Sequence, residues 1–369
     1  MFRTSFKTAA AVIALALPAV SPAGAAAPEE KVLNIFNWSD YIAPDTIANF
    51  EKATGIKVNY DVFDSNEVLE AKLLAGQSGY DLVVPTASFL ERQIKAGVFQ
   101  TLDKTALTNY ANLDPAIVAR IAKHDPENAR AMPYTWGTIG IGYNPDKIKE
   151  RLGTDTITSW DVLFKPEISA KLKDCGIAIL DSPSEVMAIA LNYAGLDPNS
   201  EKKEDLDAGK AVLQGLRPNV KYFHSSQYIN DLANGSVCVA VGYNGDMLQA
   251  RNRAAEAKNG VPVRYSIPSE GTLMWFDVMA IPNDARHPQN AHAFLNYLLQ
   301  PDVIAAVTNT VNFANANKAA TALVNEAVRT DPGIYPSDAV REKLFAQKSH
   351  TVKFDRLLTR AWTELKTGR

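Results

Sequence analysis

The chain has 369 residues, 46% of them hydrophobic and 21% charged, with 20 Gly and 20 Pro. That composition excludes collagen, a disulfide mini-protein and a disordered chain, and the length suits two domains. Lys plus Arg is 38 against 41 Asp plus Glu, a formal charge of −3 with no basic run, which argues against nucleic acid or an anionic membrane as the main partner.

The N-terminus reads as a secretory signal covering residues 1–27. Arg3 and Lys7 precede an apolar stretch from Ala9 to Val20, and small residues offer cleavage after Ala25 or Ala27. The apolar run is too short to span a bilayer, and no Cys near the cut points to a lipid anchor. Export to the periplasm follows. Losing Arg3 and Lys7 takes the formal charge from −3 to −5.

Beyond the leader, short apolar runs alternate with helical patterns. Val32–Phe36 reads as a strand, Asp45 as the cap of a helix that stops at Gly55, and Ile56–Phe63 as a second strand. Asp64-Ser65-Asn66-Glu67 opens a further helix as a capping box, and Ser88-Phe89-Leu90-Glu91 reads as another after the Asp81–Val84 strand. The rhythm returns in strands at 178–180, 237–241 and 278–282, with helices after the first and last. An amphipathic helix over 353–366 ends the chain, with Phe354, Leu358 and Trp362 on one side. Strand alternating with helix implies an α/β fold with ligands at the carboxyl ends of strands. The halves lack a Gly/Ser linker, so the chain is expected to cross between them more than once.

Chemistry-bearing motifs are few. No nucleophile elbow, P-loop or metalloprotease motif is present, and Gly137, Gly140 and Gly142 lack the rest of a dinucleotide fingerprint. They read better as a glycine-rich strand near a domain crossing. Five scattered His make no metal cluster, so neither metal nor cofactor is expected. Cys175 and Cys238 form an even pair in an exported chain, which suggests a disulfide closing 63 residues, with two buried thiols as the alternative.

Aromatics beside acids recur at strand ends: Trp38-Ser39-Asp40-Tyr41, Glu185 after Leu180, Tyr243 with Asp246, and Trp275-Phe276-Asp277. Ring faces attract organic cations, and carboxylates accept their N–H bonds. Each residue alone could equally be a cap, a turn or core. Their recurrence favours an ammonium site.

These segments resemble the periplasmic polyamine-binding proteins of ABC importers. The likeness runs through 36–42, 61–67, 80–86, 222–231, 275–278 and 314–318, and covers essentially the whole mature chain. It implies a two-lobed (type II) periplasmic binding protein, each lobe a mixed sheet flanked by helices around a ligand cleft. Residues 28–135 and 264–306 would form one lobe, and 136–263 with 307–369 the other. It also implies an inner-membrane permease as partner, a monomer, no enzymatic activity, and a Cys175–Cys238 disulfide.

Carried over by residue, the aromatic walls would be Trp38, Tyr41, Tyr243, Trp275 and Phe313. The acids would be Asp40, Glu185, Asp246 and Asp277, with Ser39 and Thr86 as neutral acceptors. Putrescine-binding relatives tend to carry Trp at Tyr243, Phe at Trp275, Tyr at Phe313 and Ser at Thr86. The larger indole at 275 and the room left by Tyr243 favour spermidine over putrescine. The alternatives are a secreted hydrolase using two carboxylates, a sugar or other amine receptor on this fold, and a polyamine sensor.

Overall fold

A computed structural model describes residues 1–2 and 29–368, so the expected leader lies outside the described residues apart from Met1 and Phe2. The first half is built on parallel strands. β1 (Val32–Trp38) pairs with β2 (Lys57–Phe63) on one side and β3 (Leu82–Val83) on the other. Between them lie helices Thr46–Thr54 and Asn66–Leu74. The first ends at Gly55, which takes the left-handed conformation (φ 71°) that a side chain would oppose. The second helix is capped one residue later than the expected box: Ser65 Oγ, not Asp64, accepts from the backbone, taking the Val68 N–H (3.3 Å).

The other capping predictions need correcting. Asp45 precedes its helix but makes no side-chain cap bond. Helix Ala87–Lys95 begins after Thr86, so Ser88 lies buried within its first turn instead of capping it. Thr86 does not cap either, because its hydroxyl is engaged by Asp277.

The longest strand, β4 (Ala131–Tyr143), has all 13 residues buried and joins the two halves. Residues 131–138 pair antiparallel with β9 (Leu273–Ala280), and β9 meets β3, which places them in the first half. Residues 139–143 pair with β7 (Val239–Tyr243), which is parallel to β5 (Ile177–Ile179), itself beside β6 (Val220–Phe223). At roughly 3.3 Å per residue such a strand is long enough to serve both halves. Its glycines answer to packing. A Cβ on Gly137 would collide with Asn244 and Trp275, and one on Gly142 with Met247. The strand reading of this stretch therefore holds against a nucleotide loop.

The expected lobe boundaries shift in two places. β8 (Arg264–Ser266) pairs with Ile141–Tyr143, in the second half rather than the first. β10 (Ala314–Asn315) pairs with Thr135–Trp136, in the first half rather than the second. The chain returns once more along β11 (Phe345–Ala346), beside β9, to helix Val352–Thr367. That helix buries Phe354, Leu358 and Trp362 as expected, packing against helices 183–193 and 203–216.

A Cys175–Cys238 disulfide (Cα–Cα 5.4 Å) ties the entry of β5 to that of β7. Among the described residues, no helix is long and apolar enough to cross a membrane, and no cluster of three or more metal-ligating side chains occurs.

Candidate functional site

Three acids meet where the strands end. After β5, helix Pro183–Tyr193 carries Glu185 in its first turn, and β7 leads directly into helix Asn244–Ala257, with Asp246 in its first turn. The positive end of each helix offsets part of the cost of burying these charges. Asp277 sits inside β9, opposite Thr86 across an isolated antiparallel bridge.

Each acid is held by hydroxyl donors. Asp246 Oδ2 accepts from Tyr228 (2.5 Å) and Glu185 Oε2 from Tyr243 (2.8 Å). Asp277 accepts on both oxygens, from Thr86 (2.7 Å) and Tyr41 (2.8 Å). Glu185, Asp277 and Asp246 are only 2%, 5% and 8% exposed. None pairs with a Lys or Arg among the described residues; Arg253, the one cation that eases the Asp246 charge, is bonded to Asp40. Burial therefore dominates. It pushes Asp246 and Asp277 up to about 7 and lifts Glu185 above the usual carboxylate range.

Rings close the space between the acids. Tyr243 stands edge-on to both Trp38 (6.3 Å between centroids) and Trp275 (5.9 Å). Phe313 meets Trp275 at 5.0 Å and Tyr41 at 5.2 Å, again edge to face. Trp38 is fixed by donating its indole N–H to Val84 O (2.9 Å). The rings and the acids line one cavity.

Ten of the eleven predicted residues line this one cavity: the five aromatics, Ser39, Thr86, Glu185, Asp246 and Asp277. Asp40 does not, which corrects its expected role as a direct ammonium acceptor. Its backbone is left-handed (φ 54°), its carboxylate is 44% exposed, and Arg253 of helix 244–257 binds it at 2.9 Å. It therefore links the end of β1 to the other half of the molecule. Sequence reasoning did not single out Phe63, Asp64, Ser225, Ser226 and Ile229, which also line the cavity. They lie in stretches that carried the family resemblance, and that was their one signal. The Ser225 hydroxyl and the Trp275 indole N–H are buried without a protein partner.

Such a cavity suits a slender organic cation with apolar length between charged ends. Residues 45–336 match the bacterial extracellular solute-binding protein family. The chain belongs to that family. This solute-binding protein is 60% identical over 360 residues to the putrescine-binding periplasmic protein PotF of Escherichia coli, covering 97% of each chain. It is 53% identical to the putrescine-binding periplasmic protein SpuD of Pseudomonas aeruginosa, over 97% of this chain and 98% of that one. Its fold matches the solved spermidine/putrescine ABC transporter substrate-binding protein PotD of Streptococcus pneumoniae with a TM-score of 0.73. Identity there is 28%, over 92% of this chain and 99% of the other. The two-lobed α/β architecture expected from the sequence is the architecture of these relatives.

Proposed function

We propose that this protein captures putrescine and spermidine in the periplasm and delivers them, as a monomer and without chemical conversion, to an ABC permease. The observation that carries the reading is the set of three buried acids, unpaired with any Lys or Arg among the described residues, around an aromatic cavity. A terminal ammonium at Asp246 and another at Asp277 would neutralise those two acids, while the rings cover the methylenes. Each charge-assisted hydrogen bond contributes on the order of 1.5–3 kcal/mol and each desolvated cation–π contact about 2 kcal/mol. After the cost of immobilisation, a micromolar or tighter site remains.

A two-carboxylate hydrolase needs its acids driven apart in pKa, one protonated and one not. Here all three are pushed the same way. Calorimetry of the ligand-free protein with putrescine, spermidine, lysine and a neutral sugar tests the proposal. Heat with the polyamines alone supports it, and binding of the sugar alone overturns it.

Affinity is expected to rise with pH. The ligand-free protein holds protons on Asp246 and Asp277 near pH 7, and the polyamine binds their ionised forms. Binding therefore releases protons, and lowering the pH from 8 to 6 weakens it by about tenfold or more. Titrations in buffers of different ionisation enthalpy give the proton count, and a pH-independent affinity would contradict the assignment.

Spermidine is expected to bind more tightly than putrescine. Trp275 offers a larger face than Phe, and Glu185 supplies a third acid for a third nitrogen. Competitive calorimetry reads the order directly, and Trp275→Phe should lose more affinity for spermidine than for putrescine.

A further inference from the structure

We infer that Asn66 is a positioning residue for the cation site: its amide fixes the Thr86 hydroxyl as a donor to Asp277. The inference rests on the reading that Asp277 binds an ammonium group. Asn66 is buried at the start of helix 66–74 and meets Thr86 twice. Its Oδ1 accepts the Thr86 backbone N–H (3.0 Å), and its Nδ2 donates to Thr86 Oγ1 (2.9 Å). The backbone N–H can only donate, so it decides which end of the amide is oxygen. The amide NH₂ must then lie at Thr86 Oγ1. That hydroxyl, already accepting, directs its own proton to Asp277 Oδ1 (2.7 Å).

The other carboxylate oxygen is supplied in the same way. Tyr41 donates to Asp277 Oδ2 (2.8 Å), so the Thr135 hydroxyl, in hydrogen-bond contact with Tyr41 Oη, donates to Tyr41. Asp277 is thus fed by two oriented chains, Asn66–Thr86 and Thr135–Tyr41. Each link polarises the next, and both favour the charged carboxylate. The other titratable groups facing this cluster oppose that charge or are neutral. Glu185 raises the Asp277 pKa, Tyr134 and Tyr243 stay neutral because burial holds them well above their usual range, and His124 lines a small cavity shared with Thr86. Asn66 does not itself line the cavity. It acts through Thr86.

The test measures putrescine binding by calorimetry between pH 6 and 8.5 for wild type, Asn66→Leu, Asn66→Asp, Thr86→Val and the Asn66→Leu/Thr86→Val pair. Asn66→Asp keeps an acceptor for the Thr86 N–H, so it serves if the leucine variant folds poorly. Without the Asn66 donor the Asp277 titration moves up by about half a unit, so the loss of affinity is about threefold greater at pH 6 than at pH 8.5. Once Thr86 is Val, Asn66→Leu should cost nothing further. A loss equal at every pH, or losses that add in the pair, would make Asn66 merely structural and overturn the inference. Absence of putrescine binding by wild type would instead sink the underlying functional reading.

Discussion

Asp246→Ala is expected to weaken putrescine binding by about 2–4 kcal/mol, because it leaves one ammonium group buried and unpaired. The same change should raise the melting temperature of the ligand-free protein. Asp246 is 8% exposed, is paired with no cation among the described residues, and is pushed up to about 7 by burial. Its folded pKa thus exceeds its unfolded value near 4. Between those values the folded state holds a proton that the unfolded chain has lost, so this group lowers stability progressively as pH rises from about 4 to 7. Removing it relieves that cost at neutral pH. The Tyr228 hydroxyl loses its 2.5 Å partner, which limits the gain. Melting curves with and without putrescine read both effects, since the stabilisation a ligand gives grows with its concentration relative to Kd and so falls when affinity falls. A variant that melts higher yet gains little from putrescine supports the role. Unchanged affinity would remove Asp246 from the site.

Breaking the Cys175–Cys238 disulfide is expected to cost about 4 kcal/mol in the chain-entropy model for a loop of 63 residues. Both cysteines are buried, and they join the segments that enter β5 and β7. Those two strands lead into the helices that carry Glu185 and Asp246, so the bond braces the second-half wall of the cavity. A Cys175→Ala/Cys238→Ala variant should unfold at clearly lower denaturant while still binding putrescine at low temperature. The wild type, unfolded without reductant, should show no free thiol. Two titrating thiols would refute the bond, and an unchanged denaturation midpoint would refute its contribution.

Much of the site was legible because the fold concentrates it at strand ends. Short apolar runs such as Val32–Phe36 and Val237–Val241 mark buried strands, and the residues just after them must line the cleft. Asp40 satisfied that rule by position yet turned away, since its left-handed backbone and the Arg253 partner lie more than two hundred residues apart in sequence. β4 carried no period to read, because all 13 of its residues are buried on both faces. The lobe boundaries at 264 and 307 failed for a related reason. Whether Arg264–Ser266 or Ala314–Asn315 pairs with one end of β4 or the other depends on the path of the chain, not on local pattern. Asn66 was visible as part of a capping box and of the 61–67 stretch that carried the resemblance, and its side chain proves to be spent on Thr86.

The family places this chain among extracellular solute-binding proteins, and the acids specify what a ligand must bring: positive charge at both ends of an apolar stem. The Asp40–Arg253 pair, at 2.9 Å, spans from the end of β1 to helix 244–257 and so joins the halves beside the cavity. The crystal structure of the complex with putrescine would show which groups hold the two ammonium ends. One terminal nitrogen should lie within hydrogen-bond distance of Asp246, the other within reach of Asp277, and the methylenes against Trp38, Tyr243 and Trp275. A putrescine molecule bound elsewhere, or lying in the cavity with neither nitrogen on a carboxylate, would contradict this placement.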